Sequence, residues 1–352
     1  MTTTSPPHRK IVLLTDGYST PFLAKTAISL LRYRTDDIAA VLDEPGAGQI
    51  SQQLLGAGGS TPVVGTLSDV RDADALYIGI APPGGKLPLE WKPVILEAVR
   101  RGMDVVSGLH DFLCDNEEYV RAAAESGSQL VDVRRNRLKE TAKALQFRPG
   151  CIRIHSVGND CSIGKMVATL EIQRGLASLG HSAKFLATGQ TGIMISGEGV
   201  PIDCVVADFV NGAAEQLVQE NEQYDFLLIE GQGSISHPAF SAVTLGLLHG
   251  CAPDGLIFCY EAGREQVKGL DNIDIPRMSD QMQACELLAN LRHPCKIIGI
   301  AVNSRNLTPE DAEREILRAE QEFGLPACDV YRQGAGKLVH ACLALQQEVL
   351  AR

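Results

Sequence analysis

The chain has 352 residues, 45% of them hydrophobic and 21% charged, and a formal net charge of -11. That length exceeds what one hydrophobic core usually supports, so two domains are expected, and the apolar content suits folded cores rather than a disordered chain. The negative balance, with no dense run of Lys and Arg, argues against nucleic acid as a partner, and no apolar run reaches the ~20 residues of a membrane span.

The opening stretch, MTTTSPPHRK, lacks the apolar core of a leader peptide, and a cytoplasmic protein is expected. Strand candidates then follow as KIVLLT, IAAVLD, PVVG, DALYIGIA, MDVVSGLH and SQLVDVRR, with TPFLAKTAISLLRYR and LEWKPVILEAVRRG reading as helices between them. Short β-branched runs alternating with amphipathic stretches predict an α/β fold with parallel strands, here a Rossmann-like domain over residues 1–148. The turn after the first strand has only Gly17 and no G-x-G-x-x-G, so dinucleotide binding is not predicted. KETAKALQFRPG, residues 139–150, has no strand pattern and ends in Pro149-Gly150, which places the expected boundary there.

A second series begins beyond it: CIRIHSVG, SAKFLATG, YDFLLIEG, DGLIFCYEA, CKIIGIAVN and ACDVYRQG. It predicts a P-loop NTPase-like parallel-sheet domain over 149–352. Ten cysteines are scattered along the chain without a C-x-x-C pair, the pattern of reduced thiols, and no metal site is expected.

The stretch SVGNDCSIGKMVATLEI, residues 156–172, supplies strand, glycine-punctuated turn and helix in the order a phosphate cradle needs. Gly158 and Gly164 permit close approach of the backbone, Asn159, Asp160, Cys161, Ser162 and Ile163 form the turn, and Lys165 adds a mobile positive charge. Met166 stands where a standard loop carries the Ser or Thr that holds Mg²⁺, and a thioether offers a hard cation nothing. The glycine spacing resembles the GTDTxxGKT loop of dethiobiotin synthetase, a likeness that places Asn159 and Asp160 in the signature and gives Asn303, at the end of another strand, the adenine-reading position. Glu230 ends a further strand, where open α/β sheets bind ligands. Without the metal hydroxyl, a phosphate-bearing ligand that is held rather than cleaved suits the loop, and coenzyme A is such a ligand.

Longer stretches extend the comparison: GIAPPGGKLPLEWKPVILEA, GMDVVSGLHDFL, VGNDCSIGKM, ATGQTGIMISGEGVPID, VVADFVNGAAEQLV, LLIEGQGSISHPAFSAVTLGLLHG and GIAVNS. In these the sequence resembles the D-glutamate N-acetyltransferase family over nearly its whole length. The resemblance implies a Rossmann-like domain followed by a P-loop-type domain, and transfer of acetyl from acetyl-CoA, as co-substrate, to the amino group of D-glutamate or a related acidic amino acid. Such a reaction needs a base for the amine and donors for the oxyanion. Glu230, His237 and Asp208 are the base candidates, and Gln190, Thr191 and Gly192, in a glycine-rich stretch expected to be a flexible loop, are candidate donors. Arg264, Lys268, Arg277 and Arg305 are candidate anchors for the acceptor's carboxylates. A homo-oligomer is expected. Two other readings stay open here: an ATP- and Mg²⁺-dependent ligase or kinase of the dethiobiotin synthetase type, and a non-catalytic ligand sensor.

Overall fold

The structure, a computed structural model, describes residues 3–4 and 8–351; half of the opening stretch read above for a leader peptide lies outside the described residues. The chain forms two compact units, Met1–Asn136 with Gln190–Cys204, and Arg137–Gly189 with Val205–Arg352.

In the first unit, β1 (Ile11–Leu14), β2 (Ile38–Leu42), β3 (Val63–Val64), β4 (Ala75–Ile78), β5 (Asp104–Ser107) and β6 (Leu130–Asp132) form one sheet in the order β3-β2-β1-β4-β5-β6. Every pairing is parallel. The continuous apolar runs IVLL and ALYI are buried at every position, as strands covered on both faces require. Helices α1 (Lys25–Tyr33), α2 (Lys92–Arg100) and α3 (Glu117–Ser126) provide connections, and α3 starts where Asn116 accepts the amides of Glu118 and Tyr119. Asp43, the residue after β2, accepts the Gly17 amide at 3.2 Å, the Gly46 amide at 2.8 Å and the Ser19 hydroxyl at 2.5 Å. Its carboxylate is thus committed to the turn after β1.

The second unit has the sheet order β12-β11-β10-β7-β9-β8, from β7 (Ile152–Gly158), β8 (Ala183–Leu186), β9 (Phe226–Ile229), β10 (Gly255–Glu261), β11 (Lys296–Asn303) and β12 (Ala327–Cys328). All five pairings are parallel. The connecting helices are α4 (Lys165–Ser178), α5 (Val210–Gln219), α6 (Ser241–Cys251), α7 (Met278–Asn290), α8 (Pro309–Phe323) and α9 (Gly336–Leu350). At the strands' opening end Arg153 donates to both oxygens of Asp254, at 3.0 and 2.9 Å, and His293 reaches the same carboxylate at 2.7 Å. The polar ends of the central strands are thereby satisfied inside the fold.

The two units divide at 136/137, and the segment that follows has a local reason for joining the second. The irregular segment after Arg137 lies on α5: the amides of Lys143 and Leu145 donate to the buried Glu215 carboxylate at 2.7 and 3.0 Å. Gly212 leaves room for it, since a Cβ there would stand 2.0 Å from Glu140 O. The glycine-rich stretch after residue 189 also departs from its expected loop character. Gln190–Ser196 is a short helix of the first unit, with Gln190, Gly192, Ile193 and Met194 buried. Its apolar side chains outweigh its glycines. No helix among the described residues is long and apolar enough to cross a membrane.

Candidate phosphate-binding site

The chain leaves β7 at Gly158, turns, and enters α4 at Lys165. A Cβ at Gly158 would lie 2.4 Å from both Cys259 O and Ile163 Cδ1, so only glycine lets the turn close against β10. Ser162 (φ 55°) and Gly164 (φ 108°) both adopt the left-handed region. Alternation of hand in such a turn curls successive amides toward one point, and α4 adds its own unpaired first-turn amides and the positive end of its dipole. After β9, Gly231 passes so close that a Cβ would fall 1.7 Å from Ser156 O, and its amide donates to Ser156 Oγ at 2.8 Å.

Lys165 is 6% exposed. Among the described residues its ammonium has one hydrogen bond, to the neutral carbonyl of Asp160 at 2.6 Å. Burial is the main influence lowering its pKa, with Arg264 adding to the effect. A buried cation facing a carbonyl rather than a carboxylate is set to receive an anion.

The metal ligand of an ordinary loop is missing in three dimensions as well. Met166 occupies its position, and the Thr169 hydroxyl lies 2.8 Å from both Ser156 Oγ and Lys165 O, committed inside the fold.

Around the loop, charges are paired in a chain. Asp160 is fully buried, and its Oδ2 accepts from Arg264 Nη1 at 2.7 Å and from the Lys268 amide at 2.9 Å. Arg264 also donates to Cys161 O at 2.8 Å and to Glu261, which ends β10. Glu261 accepts in addition from Arg305 at 2.9 and 3.0 Å and from Asn306 at 3.0 Å. Asn303 donates to Ile163 O at 3.2 Å, bracing the turn from β11. Asn159 donates its amide to Cys259 O at 3.2 Å, while its buried Oδ1 has no partner.

His237 is 2% exposed, and its Nδ1 accepts the Ala239 amide at 3.1 Å. That bond leaves the neutral ring's proton on Nε2, which stands 3.8 Å from Asp160 Oδ1; neither atom has a hydrogen-bond partner. A ligand atom from each of Asp160, Cys161 and His237 falls within 4.8 Å of the others, a metal-like spacing. Coordination at Nε2 requires a lone pair there, and with Nδ1 already accepting, the ring would have to lose its last proton. The three residues do not fit a metal ion held through His237.

The other sequence candidates lie as follows. Glu230 Oε2 accepts the amides of Thr188 and Gly189 at 2.9 and 3.0 Å, which fixes the end of β8. Asp208 is exposed in the turn Ala207–Phe209 before α5 and makes none of the polar contacts that knit the loop. Gln190 Nε2 donates to Thr26 and Thr191 hydroxyls, both at 2.7 Å, so Gln190 and Thr191 are tied into the first unit, and Gly192 is buried in the same short helix. Arg264 is occupied by two internal carboxylates and is not a free anchor for a substrate. Arg305 keeps a side chain 57% exposed beside the loop, whereas Arg277 is exposed and paired with Asp280. Sequence reasoning overlooked Glu261, although the strand DGLIFCYEA ends on that carboxylate in the same way as the strand before Glu230.

Residues 140–339 match the family described as Domain of unknown function (DUF1611_C) P-loop domain, and residues 44–136 its Rossmann-like partner DUF1611_N. The chain belongs to the DUF1611 family. A DUF1611 crystal structure from Anabaena variabilis superposes with a TM-score of 0.90 at 34% identity, covering 96% of this chain and 100% of that one. Two curated relatives are each named D-glutamate N-acetyltransferase. The one from Tritonibacter scottomollicae is 39% identical over 325 residues, covering 92% of this chain and 95% of its own. The one from a Pseudoalteromonas species is 40% identical over 268 residues, covering 76% of this chain and 80% of its own. This DUF1611 chain is accordingly an enzyme, an acyltransferase.

Proposed function

We propose that the protein transfers acetyl from acetyl-CoA to the amino group of D-glutamate, and that the loop between β7 and α4 holds the coenzyme by its phosphates. Lys165 carries the reading: among the described residues its buried ammonium makes one hydrogen bond, to a neutral carbonyl, in a loop whose left-handed turns and helix terminus favour an anion. Acetyl-CoA supplies an activated acyl group, and its phosphates need to be held rather than cleaved. Asn303 and Arg264 keep the loop in shape, the first through Ile163 O and the second through Asp160 and Cys161 O.

On this reading His237 serves the loop and not the transfer step. It stands against Asp160, within the phosphate cradle, and a coenzyme bound there by its phosphates carries its thioester a full pantetheine arm away. The His237 Nε2 stands 3.8 Å from Asp160 Oδ1, while Asp160 itself is held by Arg264 and the Lys268 amide. Arg305, half-exposed with part of its guanidinium beyond Glu261, remains available to an anionic group at the mouth of the loop. The ten free cysteines support a reducing, cytoplasmic setting.

Purified protein given acetyl-CoA and D-glutamate in the presence of EDTA should release free thiol, and N-acetyl-D-glutamate should appear in equal amount. Thiol release that needs added magnesium and ATP would transfer the protein to the ligase class instead.

A further inference from the structure

We propose that Arg305 recognises the 3′-phosphate of coenzyme A and makes the protein select coenzyme A over its dephosphorylated form; the proposal rests on the phosphate-loop reading above.

Arg305 follows closely on β11, and two separate links tie it to the rim of the loop. Asn303, the last residue of β11, donates to Ile163 O at 3.2 Å, and its Oδ1 accepts the Arg305 amide at 3.3 Å. Glu261 is bonded both to the Arg305 guanidinium and to Arg264, which in turn holds Asp160 and Cys161 O. The arginines of this edge differ in what they have left to give. Arg264 is engaged by Asp160, Glu261 and Cys161 O. Arg332 donates through Nη2 to Ser304 O and Leu307 O, at 3.1 and 2.8 Å, and stands against Asp329. Arg305 spends a single side-chain nitrogen: Nη2 reaches both oxygens of Glu261, and among the described residues Nε and Nη1 make no hydrogen bond. Its side chain is 57% exposed and that of Glu261 only 5%, so a buried carboxylate fixes one end of an exposed guanidinium. Such a group is oriented before a ligand arrives and keeps N–H donors for an anion.

Coenzyme A offers two anionic centres, the diphosphate and the 3′-phosphate monoester. On the loop reading the diphosphate falls to Lys165 and the turn amides. The 3′-phosphate is carried by the ribose joined to that diphosphate, so it stays at the rim, whereas the thioester and the acceptor it meets are a pantetheine arm away. An arginine tied to the rim therefore faces the monoester and not a carboxylate of the acceptor. A phosphomonoester carries more than a single negative charge at neutral pH, and a guanidinium is the side chain suited to hold it.

Calorimetric titrations with coenzyme A and with dephospho-coenzyme A, in EDTA, on wild type and Arg305→Ala test the assignment. Wild type should bind coenzyme A at least about fivefold more tightly than the dephospho form, the scale of a partly exposed ion pair. Arg305→Ala should bind the two about equally, at the affinity wild type has for the dephospho form. The ratio is taken within one preparation, so a general loss of folded protein cancels. Equal binding of both ligands by wild type overturns the proposal, and so does a preference that Arg305→Ala retains. A KM for D-glutamate that rises in the variant while the coenzyme preference stays would likewise overturn it and move Arg305 to the acceptor. Failure of the loop reading shows separately, as binding of both ligands that Lys165→Ala does not weaken.

Discussion

Lys165→Ala is expected to weaken coenzyme A binding by about 2 kcal/mol, roughly 30-fold, the size of a lost hydrogen bond to a charged group. The KM for acetyl-CoA should rise by a similar factor, since a phosphate far from the reacting carbonyl is bound equally in ground and transition states, and kcat should hold. The same substitution should leave the thermal midpoint unchanged or raise it. Lys165 is a desolvated charge with a single bond to a neutral carbonyl, and removing such a group relieves burial of an ion without stranding a partner carboxylate. Calorimetric titration and a thermal melt of the same preparation check both halves. Unchanged affinity would remove the loop from the binding site, and a large fall in midpoint would make Lys165 a structural residue.

Acid should destabilise the second unit through His155. This residue lies on β7 with no exposed surface; its Nδ1 is 3.3 Å from Ile229 O and its Nε2 has no partner. Burial, aided by the nearby Lys165 charge, lowers its pKa to about 4 from 6.5. The neutral ring is therefore favoured by the fold, and its contribution is fully present above pH 6.5. Below that the unfolded chain takes up a proton the folded one refuses, so stability falls by about 1.4 kcal/mol per pH unit, about 3 kcal/mol in all by pH 4. Urea unfolding at pH 7 and pH 4.5 measures the fall, and His155→Leu isolates it from the carboxylates that also titrate there. The variant should lose most of the slope that wild type shows between those values. An equal slope in both proteins would assign acid sensitivity to other groups.

The strand ends and the loop were legible in the sequence because they depend on neighbours along the chain. Each predicted strand appears, some trimmed to their buried centre, as with ACDVYRQG, where only Ala327–Cys328 pairs. The turn from Gly158 to Lys165 announces itself through glycine spacing and the amphipathic helix that follows. The partners of its charged groups were not legible. Arg264 looks like a free anchor in EAGREQVKG, yet its guanidinium is taken by Asp160, which lies more than a hundred residues earlier. The bonds of Gln190 Nε2 to the Thr26 and Thr191 hydroxyls were equally invisible in the sequence. The tautomer of His237 follows from one backbone amide, that of Ala239, which no spacing rule predicts.

The central claim is that the loop grips coenzyme A by its phosphates and does so without a metal. A crystal soaked with coenzyme A in EDTA tests it most directly. The account predicts a phosphate group within hydrogen-bond distance of Lys165 Nζ and the amides of the turn, with the ammonium drawn off the Asp160 carbonyl. Coenzyme bound at another place, with Lys165 still on that carbonyl, would contradict it.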